Sequence, residues 1–190
     1  ANRQNSIVLS PGANGKVTPD DVIDLPDANT LLLQFEIPSE TVLSTARQAR
    51  EKGMRVIVNP APAREIDKSL LKSIDVLVPN ETELSLLTDI ASAEVAARKL
   101  MLRGAGMVIV TRGEHGSLAV TKSGHHMIPS FKVNVVDTTA AGDAFIGGLA
   151  VSLVENKSFN EALNYANVCG ALATTKFGAQ PSLPTKDEVD

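Results

Sequence analysis

The segment from Val136 to Phe145 carries the residues whose types and spacing are best suited to chemistry. Its sequence is Val-Asp-Thr-Thr-Ala-Ala-Gly-Asp-Ala-Phe, in which small side chains run from a predicted strand straight into a predicted helix. The backbone N–H groups of a first helical turn lack intrahelical partners, and small side chains leave them accessible. The positive end of the helix dipole also favours negative charge. The pattern therefore predicts an anion site at this helix start.

Asp143 stands in the first turn of that helix, where its carboxylate could accept a proton from an alcohol placed beside the anion. A structural alternative is open: Asp143 would only complement the helix dipole, and Gly142, Gly147 and Gly148 would permit close helix packing. The glycine-rich kinase loop and the Walker A pattern are both absent from the sequence. If ATP is used, its phosphates must be held by this helix start.

Short apolar runs predict the strands that position this segment. They are rich in leucine or β-branched residues and apolar on both faces, as in parallel strands buried between two helical layers. The runs are Ser6 to Ser10, Thr30 to Phe35, Met54 to Val58, Asp75 to Val78 and Gly106 to Thr111.

Helical segments with start and stop signals lie between the runs, so the chain alternates strand and helix. Helix starts are predicted at Thr18 with Pro19 and Asp21, at Ser39 and at Ser92; stops are predicted at Gly53 and Gly104. This alternation predicts an α/β fold in which helices cover a mostly parallel sheet in three αβα, Rossmann-like layers.

The pattern changes after Ser117, where strand-like segments flank a Ser123-Gly124 turn. Apolar residues alternate up to Val135, which predicts an antiparallel edge from Ser117 to Val136. Two helices follow, one from Gly142 to Glu155 and one behind a capping box of Ser158 and Glu161. Cys169 falls on the apolar face of the second helix and is predicted to be structural, like His115, His125 and His126.

Composition excludes several classes of function. The net charge is −4, aromatic residues make up 3%, and Lys and Arg are scattered, so nothing favours nucleic-acid binding. No apolar run approaches the roughly 20 residues that span a bilayer, and a single cysteine excludes an internal disulfide. We expect one domain over residues 1–190, in the cytoplasm and without a membrane partner.

The helix-start segment resembles the D-T-x-[GA]-A-G-D-x-F motif of the ribokinase family, the PfkB carbohydrate kinases. Further matches follow in the family's order over essentially all 190 residues. They are Gln34-Phe35-Glu36, Asn59-Pro60-Ala61-Pro62-Ala63, Asn80-Glu81-Thr82-Glu83, Thr111-Arg112-Gly113-Glu114-His115-Gly116 and Gly178-Ala179-Gln180-Pro181-Ser182.

The resemblance implies that Asp143 is the catalytic base and that the amides of Ala140, Ala141 and Gly142 surround the transferring phosphoryl group. Asn80 and Glu83 would position Mg²⁺ and phosphate through water, as a hard cation that keeps its waters requires. The same two residues also form the pattern of a helix capping box, so both interpretations stay open.

Other roles are implied for the remaining motif residues. Thr111 and Gly113 would contact the nucleotide, Asn167 would lie near adenine, and Glu36 would face the sugar; for Asn167 the alternative is a solvent-facing helical position. A monovalent cation, potassium in ribokinases, would lie between two loops that contain Asp137 and Thr139, and Gly178 and Ser182.

The implied activity is transfer of the γ-phosphate of ATP to a sugar hydroxyl, with D-ribose as acceptor and a homodimer as the full-length state. Another sugar, a sugar phosphate or a nucleoside is an alternative acceptor, and a non-catalytic nucleotide-binding homologue is an alternative class. The chain resembles the carboxyl-terminal two-thirds of a family member, lacking roughly the first hundred residues with their leading strands and β-lid. We expect it to be an inefficient kinase alone.

Overall fold

The computed structural model describes residues 10–190, which are organised around a six-stranded sheet. The strands lie side by side in chain order: β1 (Thr30–Leu33), β2 (Arg55–Val58), β3 (Val76–Leu77), β4 (Met107–Thr111), β5 (Ser117–Thr121) and β6 (Gly124–Ile128). Strands β1 to β4 are parallel, whereas β5 and β6 are antiparallel. The strands predicted between Thr30 and Thr111 are confirmed, while the run from Ser6 begins outside the described residues.

Helices cover the sheet in two layers. The first contains α1 (Ser39–Glu51), α2 (Lys68–Leu71), α3 (Glu81–Thr88) and α4 (Ala93–Arg103). The second contains α5 (Ala141–Val154) and α6 (Phe159–Ala173), and a short α7 (Lys186–Val189) packs through Val189 near the end of α6. None of the helices between residues 10 and 190 has the length and apolarity that crossing a bilayer requires.

Strand side chains alternate between two hydrophobic clusters, which establishes the three predicted αβα layers. Val56 and Val58 pack with the helices of the first layer, whereas Ile57 between them packs with α5 and α6. In β4, Val110 and Ile109 divide between the clusters in the same way. Because successive side chains of a strand point to opposite faces, a run that is apolar on both faces must be covered on both sides.

Predicted capping bonds are present at two of the helix starts, whereas α1 and α4, predicted to start at Ser39 and Ser92, have no side-chain cap. The backbone amide of Thr18 donates to Asp21 Oδ2 (2.8 Å) at the start of a short 3₁₀ turn, Pro19–Val22. At the start of α6, the amide of Ser158 donates to Glu161 Oε2 (2.8 Å). These bonds satisfy N–H groups that would otherwise lack partners at the helix N-termini.

The antiparallel edge is shorter than predicted. Strand β6 ends at Ile128, and no strand is described from Pro129 to Val136, so that part of the prediction is wrong. Phe131 and Val135 are 45% and 58% exposed, since they line a cavity beside the sheet rather than a sheet face. An alternating apolar pattern cannot by itself distinguish these two environments.

Helices α5 and α6 pack closely at Gly148. A Cβ at this position would lie 2.6 Å from Cys169 Sγ, so the contact depends on the missing side chain. Cys169 is buried, as predicted, and burial raises the pKa of its thiol to about 11. The thiol therefore stays protonated at neutral pH and acts in packing.

Replacing Gly148 by alanine should destabilise the fold by about 1–3 kcal/mol, because the added methyl group overpacks the contact with Cys169. Urea denaturation should show a lower midpoint with an unchanged slope. Gly147→Ala is the matched control, because a Cβ at Gly147 meets nothing within 4 Å. Equal destabilisation by both variants would contradict the packing explanation.

Candidate active site

The carboxyl ends of the parallel strands meet the N-terminus of α5 at two adjoining cavities. The helix-start cavity, of about 180 Å³, is lined by residues that include Asn80, Glu83, Thr111, Gly142 and Asp143. The Gln34 cavity, of about 290 Å³, is lined by Leu32, Leu33, Gln34, Asn59, Asp143, Ile146 and Gly147. Asn59, Asp143 and Ile146 line both. The structure therefore brings together residues that are widely separated in the chain, at the edge where ligands bind in open α/β sheets.

The backbone in front of α5 is arranged to present its amides. Ala140 has a left-handed conformation (φ +62°), which costs a residue with a Cβ about 1 kcal/mol or more. Among the hydrogen bonds of residues 10–190, none uses the amides of Ala140 or Gly142, whereas that of Ala141 donates to the Thr138 carbonyl (3.3 Å). Two of the three predicted amides are thus available to an anion, and the third is engaged in the turn.

The packing alternative explains Gly148 but not Gly142. A Cβ at Gly142 would meet nothing within 4 Å, so no neighbouring side chain requires glycine there. Its missing side chain instead leaves space over the helix-start cavity, which Gly142 lines. This is the arrangement that close approach of a ligand to the backbone requires.

Asp143 is exposed, and its carboxylate lies in the cleft rather than in the packed interior. Oδ1 accepts a hydrogen bond from Gln34 Nε2 at 2.9 Å. Gln34 lies near the end of the predicted run from Thr30 to Phe35, and no role was predicted for it. The available signal was its position directly after β1, at the edge that α5 approaches.

Asn80 and Glu83 form the predicted capping box of α3. The Asn80 amide donates to Glu83 Oε2 (2.9 Å), and the Glu83 amide donates to Asn80 Oδ1 (2.8 Å). Burial raises the pKa of the half-buried Glu83 carboxyl, although the hydrogen bond from the Asn80 amide acts in the opposite direction. The structural interpretation of this motif is therefore confirmed.

The cap does not explain why a carboxylate is used. The helix dipole favours negative charge here, but glutamine can also fill this position of a capping box and buries no charge. Glu83 instead lines the helix-start cavity, where a cation would offset the cost of its partial burial. Within residues 10–190 no three His, Cys, Asp or Glu side chains group to hold a metal. The side-chain oxygens of Asn80 and Glu83 are hard donors of the kind that Mg²⁺ prefers.

Thr111 and Gly113 lie on either side of the end of β4. An isolated parallel bridge pairs Thr111 with Asn80, so both reach the helix-start cavity. Gly113, with φ +54°, lines a third space of about 930 Å³, the hairpin cavity. Phe131, Lys132 and Val133, which were predicted to lie in the antiparallel edge, line the same space.

Asn167 lies apart from these three cavities. It is 7% exposed, and its side-chain amide donates to Ser117 Oγ (3.1 Å) between α6 and β5. The solvent-facing alternative is therefore wrong. The adenine contact stays a prediction, and the observed hydrogen bond assigns Asn167 to interior packing.

Glu36 lines a separate cavity of about 390 Å³, which shares no lining residue with the two cavities at Asp143. The Asn14 side-chain amide donates to Glu36 Oε2 at 3.4 Å. Nearby, the Arg64 guanidinium lies over the Phe35 ring at 4.8 Å, and burial lowers its pKa. The structure places Glu36 beside the cleft rather than in it.

The two loops predicted to hold a monovalent cation are joined. Asp137 Oδ2 accepts from the Gly178 amide (3.0 Å), and Oδ1 accepts from the amide and hydroxyl of Thr139 (3.0 and 2.7 Å). These bonds hold the pKa of the Asp137 carboxyl below its usual value. Ser182 is fully buried and donates to the Ala179 carbonyl (2.7 Å). The Asp137 carboxylate could therefore serve as an anionic oxygen ligand for a cation. The Ser182 hydroxyl hydrogen bonds within its own turn.

The fold and the cleft define an α/β protein with an acid and available helix amides at the carboxyl edge of its sheet. The profile of the pfkB family of carbohydrate kinases matches residues 1–186. The chain belongs to this family.

Individual relatives are similar over nearly the whole chain. Ribokinase of Haemophilus influenzae is 39% identical over 194 residues, which is 97% of this chain and 63% of that protein. Deoxyribokinase of Salmonella typhi is 38% identical over 198 residues, 99% of this chain and 65% of that protein. A structure of Arabidopsis thaliana ribokinase complexed with ribose and ATP superposes with a TM-score of 0.90 at 35% identity, covering 98% of this chain and 64% of that chain. The chain spans less than two-thirds of these relatives.

Glu83→Gln should raise the thermal stability of the chain at neutral pH. Because burial raises the pKa of Glu83, the folded state holds its proton more tightly than the unfolded state, and stability falls as the pH rises from the ordinary glutamate value of about 4.3 through the raised pKa. Glutamine keeps the cap without the charge. Melting temperatures should therefore differ at neutral pH and converge below the ordinary pKa.

Glu161→Gln is the matched control, since Glu161 occupies the same capping position in α6. Hydrogen bonds from Ser158 lower the pKa of Glu161, so its charged form stabilises the fold above the ordinary pKa. This variant should lose stability at neutral pH. A change of the same sign in both variants would contradict the assignment of Glu83 as a carboxylate held at a cost.

Proposed function

We propose that this chain carries the phosphoryl-transfer site of an ATP-dependent sugar kinase with D-ribose as acceptor. The observation that carries the proposal is the Asp143 carboxylate in the strand-end cleft, beside the unused amides of Ala140 and Gly142. Family membership and the similarity to ribokinases support the reaction class.

In the proposed mechanism, Asp143 accepts the proton of the acceptor hydroxyl while the oxygen of that hydroxyl attacks the γ-phosphorus of ATP. The bond from that phosphorus to the β,γ-bridging oxygen breaks, and ADP leaves with the electron pair. The amides before α5 neutralise charge on the equatorial oxygens of the phosphoryl group, aided by the helix dipole. Most of the rate enhancement then comes from positioning and charge stabilisation.

Asn80 and Glu83, which line the helix-start cavity, would hold Mg²⁺ through water. When bound, the ion neutralises phosphate charge and orients the leaving group. Potassium would be held by the loops that the hydrogen bond between Asp137 and Gly178 joins, and its charge would act on the amides before α5 without touching substrate.

The hairpin cavity is the proposed site of the nucleoside. Gly113, which lines this cavity, is two residues after Thr111, which lines the helix-start cavity. Phe131 and Val133 give the hairpin cavity apolar surface. A nucleotide laid across this path would place its base against the segment after β6 and its terminal phosphate at α5. This position differs from the predicted contact at Asn167.

Deoxyribose is a second candidate acceptor, favoured by the similarity to deoxyribokinase. The identity of this relative lies within one percentage point of that of the ribokinase, so overall similarity does not separate the two. Steady-state kinetics with ribose and deoxyribose should give a kcat/KM that is higher for ribose. A higher kcat/KM for deoxyribose would identify deoxyribose as the acceptor and leave the proposed mechanism unchanged.

Asp143→Asn should lower kcat about 100-fold or more, because the general base is lost. Asparagine keeps the shape of the side chain, and its oxygen can still accept the hydrogen bond from Gln34, so the loss reports proton transfer. Turnover is measured as ADP release in the presence of ribose, with the full-length protein. Near-normal turnover by the variant would remove Asp143 from the mechanism.

A further inference from the structure

We propose that Arg112 binds the phosphate chain of the nucleotide and gives up its ion pair with Glu81 to do so. Glu81 then acts as an internal competitor of the nucleotide. The inference rests on the proposed function, which supplies the nucleotide. It assigns a preference for phosphate groups to the Arg112 side chain, which has no other predicted role.

The position of Arg112 in the chain places it on the path of the nucleotide. Thr111 precedes it and lines the helix-start cavity, while Gly113 follows it and lines the hairpin cavity together with Arg112 itself. A nucleotide with its terminal phosphate at α5 and its nucleoside in the hairpin cavity must cross this point. The remaining phosphates would lie beside Arg112.

The charges around the cleft require such a group. Acidic side chains from Glu83, Glu114 and Asp143 line the three cavities, and within residues 10–190 the only Lys or Arg side chains that line them are Arg112 and Lys132. A nucleoside triphosphate brings several negative charges, so a cation near the middle of its path contributes strongly to binding.

The present contact of Arg112 leaves it able to exchange partners. Its Nε donates to Glu81 Oε1 at 2.8 Å, and no other side-chain nitrogen of Arg112 has a hydrogen-bond partner among residues 10–190. The two side chains are 24% and 48% exposed, so the pair is open to solvent on the Glu81 side, and ion pairs at a protein surface stabilise a fold only slightly. The terminal nitrogens of a guanidinium match two phosphate oxygens, which makes stronger, charge-assisted hydrogen bonds.

The alternative is that the pair only ties the end of β4 to the start of α3. In that case, removing either partner would disturb the cleft in the same direction. Partner exchange predicts opposite effects instead, because loss of Arg112 removes a phosphate contact whereas loss of the Glu81 charge releases the arginine.

The test uses calorimetric titration of the 190-residue chain with ATP and ADP, each with Mg²⁺, and with adenosine. Arg112→Met should weaken ATP binding about 10-fold, as loss of a charge-assisted contact does, and leave adenosine binding within about 2-fold. Arg112→Lys should bind ATP with an affinity between those of the unchanged chain and Arg112→Met, because lysine keeps the charge without the planar guanidinium. Glu81→Gln should tighten ATP binding about 3-fold.

Arg98→Met and Glu94→Gln are matched controls. Arg98 Nη2 lies 2.8 Å from Glu94 Oε1 in α4, and neither residue lines a cavity of the cleft. Both variants should bind ATP as the unchanged chain does. Thermal denaturation of each variant verifies that it is folded.

Three outcomes would overturn the inference. Unchanged ATP affinity in Arg112→Met would remove the phosphate contact, and equal weakening by Arg112→Met and Glu81→Gln would show a purely structural pair. Failure of the unchanged chain to bind ATP would instead overturn the nucleotide site of the proposed function, and this inference with it.

Discussion

The N-terminus of α5 faces the carboxyl ends of the parallel strands, and the candidate active site depends on that placement. The hydrogen bond from Gln34 to Asp143 joins groups that are 109 residues apart in the chain. It can form only because the sheet brings the end of β1 and the start of α5 to one edge. The parallel bridge between Asn80 and Thr111 aligns two further strand ends at the same edge.

The site concentrates features that a fold built for stability alone would avoid. Ala140 adopts a left-handed conformation, Glu83 keeps a carboxylate whose charged form burial disfavours, and amides before α5 lack partners in the described residues. Each of these costs free energy, which the two hydrophobic clusters on either side of the sheet offset. Their coincidence in one cleft is what distinguishes a binding site from polar loops in general.

Local patterns predicted those elements whose environment is the same along their whole length. The runs around Val56 and Val108 are buried on both faces, so their composition reported the layers correctly. The strand prediction around Phe131 was wrong because the apolar residues there line a cavity, and sequence periodicity does not distinguish a cavity wall from a sheet face. The solvent-facing alternative for Asn167 was wrong for another reason: a single polar residue on a helix gives no sign that Ser117 will meet it in the interior.

The amino-acid sequence by itself determined the alternation of strands and helices, the capping box of Asn80 and Glu83, and the small residues before Asp143. These depend on neighbours a few positions apart, where residue type sets conformation directly. Only the tertiary structure decided that Gln34 contacts Asp143, that Glu36 lies in a separate cavity, and that Arg112 pairs with Glu81 between two cavities. Such contacts join distant segments, and their geometry follows from how the layers pack rather than from any local pattern.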